Sequence, residues 1–185
     1  MRKKKRAAVI RNAFVAGCKR DGFRIVDWSI QDDHIHAIVE ARDNPSLARG
    51  IQGLCVRVSR GLNRILERRG SVFAERYHVR EMKTPREVRL ARAYVINNLR
   101  RHEAQHGRVM PNGWVDPLSS WAWFDGWRDC AAIRQDKARA GPEKKPPVAT
   151  PHTWLLKVGW RRHGLVCVDE VPGMKTRGLA SRIGN

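Results

Sequence analysis

Two histidines one residue apart, His34 and His36, head the apolar, β-branched run that ends at Ala41. On a strand, residues i and i+2 point to one face, so the two imidazoles can converge while Ile35 enters the core. That spacing suits a metal chelate, and it equally suits two exposed or hydrogen-bonded histidines; a metal needs a third donor. Further along, Tyr94 and Asn98 stand four apart in a helical pattern, so a hydroxyl and an amide oxygen leave the same patch. If that helix crosses the sheet beside the histidines, Asn98 completes a donor set of two imidazoles and one amide, and Tyr94 faces the ion. The plainer alternative is a Tyr94 that borders the core with a wetted hydroxyl. Gln105, His78 and His102 are nearby in sequence and carry no assignable role.

The elements that must position these residues read as follows. Val9 to about Lys19 has helical periodicity, with Ile10, Phe14 and Gly17 on one side and Gly22 of "RDG" as a stop. "FRIVDWSI" (Phe23 to Ile30) and the run His34 to Ala41, separated by "QDD", form a hairpin. A helix follows, with Ile51, Leu54, Cys55, Val58, Leu62, Ile65 and Leu66 at core spacing and Gly70 at its end. Arg57, Arg60, Arg64 and Arg68 make a stripe on its opposite side, either a solvated face or a phosphate contact. "SVFAERYHVREMKT" can supply another strand. Thr84 and Pro85 then open a long helix running toward Gln105, with Val88, Ala91, Val95 and Leu99 buried and Leu90, Tyr94 and Asn98 on an adjacent face. The order is that of an α+β fold, helices over an antiparallel sheet. A ferredoxin-like arrangement needs one more strand before the first helix, where only "MRKKKRAAV" stands.

The expected division is a catalytic-type domain over 1–107 and a Trp-rich extension over 108–185, with a Pro-rich basic linker at about 137–151. Trp114, Trp121, Trp123, Trp127, Trp154 and Trp160 crowd the extension, and "HTWLLKVGWRRHG" reads as a short helix capped by Gly164. Trp121, Trp123 and Trp127 are either the core of a cap or rings that stack on unpaired bases.

The composition narrows the partner. The 185 residues include 37 Lys plus Arg against 18 Asp plus Glu, a net charge of +19 and a pI near 11.1. Such an excess, mostly arginine, points to a polyanion, with nucleic acid foremost. Cys18, Cys55, Cys130 and Cys167 are widely spaced, with no CxxC, and read as buried thiols in a reducing compartment. The opening "MRKKKRAAVIRNAFVAGC" imitates a lipoprotein signal, but Arg11 and Asn12 interrupt the apolar stretch, so it reads as an amphipathic helix. No segment approaches the ~18 apolar residues of a membrane span.

At these residues the sequence resembles a known family. His34-Ile35-His36 matches the His-hydrophobic-His motif of the HUH single-tyrosine transposases, and "YVINN" (Tyr94 to Asn98) matches their tyrosine followed four residues later by a polar metal ligand. "GSVFAERYHVREMKTPREVRLARAYVINNLRRH" looks like the REP-associated branch, and "WFDGW" and "TWLLKVGWRRHGL" look like the C-terminal part of a bacterial subgroup. The resemblance implies a ferredoxin-like antiparallel sheet with helices on one face. It implies Mg2+ or Mn2+ held by His34, His36 and Asn98 against a scissile phosphate of single-stranded, hairpin-bearing DNA. Tyr94 would attack that phosphate, giving a 5′-phosphotyrosine and a free 3′-hydroxyl, and reversal would rejoin the strand. Arg57, Arg60, Arg64, Arg68 and Arg101 are the expected DNA contacts, and a homodimer is a further implication.

Two departures stand out. Relatives begin with a strand in the middle of the sheet, whereas here a basic tail and the first helix come first. A missing central strand would leave neighbours' backbone groups unpaired at about 1–3 kcal/mol each when buried. An upstream start, another segment or subunit in its place, or a decayed copy would each account for it. Where many relatives read Asn-Pro, this chain reads Asn97-Asn98-Leu99, so no proline ends the helix. The rival readings are a DNA-binding transposase remnant without catalysis, which needs only the arginine faces and tryptophans, and a ribosomal-type RNA-binding protein, which predicts neither motif.

Overall fold

The structure, a computed structural model, describes residues 1–128, Ile133 and 145–173; Cys130 and linker positions 137–144 lie outside the described residues. The described elements are α1 (Lys4–Gly17), β1 (Lys19–Arg20), β2 (Phe23–Ile30), β3 (Ile35–Ala41), α2 (Asn44–Ile65), α3 (Pro85–Ile96) and α4 (Asn98–Gln105). A one-turn helix, Trp154–Lys157, and a 3-10 turn, Gly159–His163, follow in the extension, with Gly164 at positive φ ending the turn as its cap position requires. The fold is α+β, and the sheet is antiparallel in the order β1-β2-β3.

The hairpin is held in register by its side-chain alternation. Ile30 pairs with Ile35, Ser29 with His36, Trp28 with Ala37 and Asp27 with Ile38. An irregularity between Ile25 and Asp27 inserts Val26 as an extra residue. Ile25 and Trp28 therefore share a face although three apart, while Val26 and Asp27 serve the other. On the first face, Ile10 and Phe14 of α1 and Leu54, Val58 and Leu62 of α2 bury Phe23, Ile25, Trp28 and Ile30. Gly50 lets α2 approach so closely that a Cβ there would overlap the Phe23 ring. The second face, with Val26 and Ile38, is a further layer that helices on one face alone did not include. It is covered by Val88, Val95 and Ile96 of α3 together with Phe124, Leu156, Trp160 and Val166 of the extension.

The edge of β2 left open by the absence of a strand before α1 is satisfied from within the chain. Beyond the two residues of β1, Ala149 N donates to Ile25 O, Ser120 N to Trp28 O, and Ile30 N to Leu118 O; Ser120 Oγ accepts from Trp28 N. Another segment thus takes the strand's place, and Trp121, Trp123 and Trp127 pack as core around it.

Two expected elements differ. Residues 71–83 form no strand. Val72 and Phe73 touch the α1–α2 core, but Tyr77 and Val79 are 47% and 58% exposed, so their alternation buries nothing that could reward pairing. The long helix is broken at Asn97 (φ −99°, ψ 21°), whose side-chain amide donates to the carbonyls of Cys167 and Glu170, both at 3.0 Å. In α2, Ile65 and Leu66 are exposed because the helix outruns the core.

The start of α3 is fixed by a capping box: Thr84 Oγ1 accepts from Glu87 N, and the Glu87 carboxylate accepts from the Lys83 and Thr84 amides. Those backbone amides hold the Glu87 carboxyl below its ordinary range. A depressed carboxylate stabilises the fold above its unfolded pKa and loses that contribution as pH falls through the folded value. Glu87→Gln should therefore lower thermal stability at neutral pH, and the gap from the parent should close well below about pH 4. A gap that persists in acid would mean the carboxylate's charge is irrelevant to the cap.

Deeper, Arg92 of α3 donates from Nε to Asp27 Oδ2 at 2.7 Å, and its guanidinium lies 4.6 Å from the ring centroids of both Phe124 and Trp160. This pair ties α3 to β2 two residues before Tyr94. No helix among the described residues is long and apolar enough to cross a membrane.

Candidate active site

His34 lies just before β3 and His36 within it, with Nε2 atoms 2.9 Å apart. Asp33 Oδ1 is 2.6 Å from His34 Nδ1. A carboxylate only accepts, so His34 Nδ1 carries a proton and Nε2 is the ring nitrogen turned toward His36. Burial first, then the neighbouring His34 and His102 imidazoles, push His36 down to about 4, so it is neutral at physiological pH. Two imidazole nitrogens this close are bridged by a proton or by a cation between them.

The helical half of the site comes from α3 and α4. His36 packs edge-on against Tyr94, with ring centroids 5.1 Å apart, and His102 approaches His34 at 6.3 Å. Asn98, just past the break at Asn97, opens α4, four residues after Tyr94 and four before His102. Its side chain is fully buried, and neither Oδ1 nor Nδ2 has a hydrogen-bond partner among the described residues. An orphaned buried amide costs about 1–3 kcal/mol, so it persists where something else satisfies it.

The donor types suit a divalent cation: two imidazoles and a buried amide oxygen with no protein partner among the described residues. Two nitrogens suit Mn2+ better than Mg2+, which prefers oxygen. Among the described residues no group of three or more His, Cys, Asp or Glu could hold a metal, so a three-donor set here would need the Asn98 amide. Asn98→Leu, near in volume, should raise metal-free stability by about 1–3 kcal/mol and abolish any stabilisation by Mn2+. Thermal melts with and without the ion measure both, and unchanged Mn2+ stabilisation in the variant would remove Asn98 from the site.

Arg101 lies with its guanidinium 5.4 Å from the Tyr94 ring centroid and donates to Pro172 O at 2.8 Å. The other arginines lie elsewhere. Because α2 packs on the sheet face opposite α3, the sheet separates Arg57, Arg60, Arg64 and Arg68 from the His–Tyr cluster. Arg57 donates to Gly53 O and Arg68 to Ser71 O, while Arg60 and Arg64 are exposed.

Two site residues escaped the sequence reading. Asp33 was visible only as a loop residue, and its role depends on the turn that brings it to Nδ1. His102 follows Asn98 by four residues in α4, a spacing visible in the sequence.

Neither the curated proteins nor the solved structures contain a match to the chain. The family model described as "Transposase IS200 like" matches residues 1–98, more than half of the 185, a span that holds both histidines, the tyrosine and the buried asparagine. The chain therefore belongs to the IS200-like transposase family.

Proposed function

We propose that the chain nicks and rejoins single-stranded, hairpin-bearing DNA, with Tyr94 as nucleophile and a divalent ion, Mg2+ or Mn2+, held by His34, His36 and Asn98. The observation that carries this reading is the contact between the His36 and Tyr94 rings, together with an Asn98 amide, four residues on from Tyr94, that is buried without a protein partner among the described residues. When bound, the ion would offset charge on the scissile phosphate. The chain's own residues supply the rest. Tyr94 Oη attacks phosphorus, the P–O3′ bond breaks, the phenolic proton passes to solvent, and the departing 3′-oxygen takes up a proton. The DNA 5′ end remains on Tyr94 as a phosphodiester. Attack by another 3′-hydroxyl reverses these steps and rejoins the strand, with no external energy source. Asp33 orients His34, and Arg101, fixed over the Tyr94 ring, offers its remaining donors to a phosphate.

Membership of the REP-associated branch, action as a homodimer and a cytoplasmic site of action in a bacterium belong to the same reading, as do phosphate contacts by Arg57, Arg60, Arg64 and Arg68 on the far face. So does the division into a catalytic part, 1–107, and an accessory extension, 108–185. The second reading, a DNA-binding remnant, draws on the missing first strand. That objection is weakened because the extension satisfies the open edge of β2.

Incubating the purified chain with Mn2+ and a 3′-labelled pool of hairpin-containing single strands tests the proposal. The expected product is label attached to protein, mapped by mass spectrometry to the Tyr94 peptide. Tight binding with neither adduct nor cleavage in Mn2+ or Mg2+ would leave the remnant reading.

A further inference from the structure

Among the tryptophans, Trp28 and Trp160 are fully buried and Trp114, Trp121, Trp123 and Trp127 are partly buried, whereas Trp154 is 50% exposed. It is also firmly mounted. The Glu40 carboxylate of β3 accepts from His152 N, Thr153 N and Thr153 Oγ1 at 2.7, 2.7 and 2.6 Å, and Thr153 Oγ1 caps the one-turn helix that Trp154 opens. Gly159 lies so close to the Trp154 ring that a Cβ there would meet it at 2.6 Å, and the Arg162 guanidinium stands 5.0 Å from the ring centroid. An indole buttressed on one side and left open to solvent has little conformational freedom to lose on stacking.

Its location relative to the site follows from strand register. His36, Ile38 and Glu40 pair with Ser29, Asp27 and Arg24, and alternate residues share a face. Glu40 is therefore on the face that carries His36, four residues along, about 13 Å. Trp154 stands at the far end of β3 from the histidines. The stretch Trp154 to Gly164 contains Lys157, Arg161, Arg162 and His163 and no acidic residue. A half-exposed indole with a guanidinium against its ring is the composition that binds single strands, with a base on the ring and a phosphate on the cation.

We propose that Trp154, with Arg162, is a stacking platform for an unpaired base of the cleaved strand, a few nucleotides from the scissile phosphate. The proposal rests on the single-strand nuclease reading and adds a determinant of where along the strand the phosphate at Tyr94 is placed.

The test uses the full chain in EDTA with a labelled single strand, so that binding is read apart from cleavage. Trp154→Ala should weaken binding on the order of tenfold, and Trp154→Phe should retain most of it. One abasic position should cost the parent a similar factor and the Trp154→Ala protein nothing more. A 5-iodouracil placed at that position should photocrosslink to the Trp154 peptide. Binding by Trp154→Ala within twofold of the parent, or equal sensitivity of both proteins at every abasic position, would overturn the platform. If the parent still forms the Tyr94 adduct in Mn2+, the nuclease reading survives that result. No binding and no adduct from the parent would overturn both.

Discussion

Tyr94→Phe should eliminate the protein–DNA adduct and lower strand cleavage by a factor on the order of 10⁴ to 10⁶, the loss typical of removing a nucleophile. The substitution keeps the ring, and with it the edge contact to His36 and the Arg101 guanidinium above it. Folding, Mn2+ binding and single-strand affinity should therefore stay within about twofold, which separates chemistry from binding. A built-in control exists, because the chain has two tyrosines and the other, Tyr77, is exposed at 47% in the segment 71–83. Tyr77→Phe should leave the adduct intact. An adduct that survives Tyr94→Phe and disappears in Tyr77→Phe would move the nucleophile to the exposed segment.

Arg92→Leu should destabilise the fold by about 3–5 kcal/mol, because it strands Asp27 as an unpaired buried carboxylate. The Arg92 and Asp27 side chains are 3% and 2% exposed, so solvent does not compensate. For a chain of this size the loss corresponds to a melting temperature lower by about 10 °C. Burial raises the Asp27 carboxyl, and Arg92 opposes that. In the variant the opposition is gone, so the folded state binds the proton more readily than the unfolded chain. A raised folded pKa gives stability that is present at low pH and lost as pH rises, so the deficit should shrink on acidification. Asp27→Leu together with Arg92→Leu should recover most of the loss. A single-variant deficit below about 1 kcal/mol would show the pair to be solvated.

What the sequence made legible was local. The hairpin, the His-x-His spacing, the start of α3 at Thr84 and the buried side of α1 follow from periods and caps that act over a few residues. Tyr94 and Asn98 were legible as an i, i+4 spacing, but the break at Asn97 puts them in successive helices. Long-range facts were hidden: Asn97 breaks the helix because carbonyls of Cys167 and Glu170 reach it, and Arg92, which reads as a surface residue, is buried because Asp27 sits at a bulge. The segment 71–83 shows the opposite failure. Its alternation is right for a strand, but no neighbour covers Tyr77 or Val79.

The way β2 is closed sets a timetable for the nascent chain. Trp28 N donates to the hydroxyl of a residue 92 positions later, Ser120, so at ordinary translation rates the edge of β2 waits about 5–20 s for its cover. During that interval the hairpin bearing both histidines carries an open, apolar strand edge, the kind of surface that pairs with other chains. Contacts of such sequence separation also make folding slow. A chain released before Ser120 would carry the hairpin and α3 but could not close this edge of its sheet.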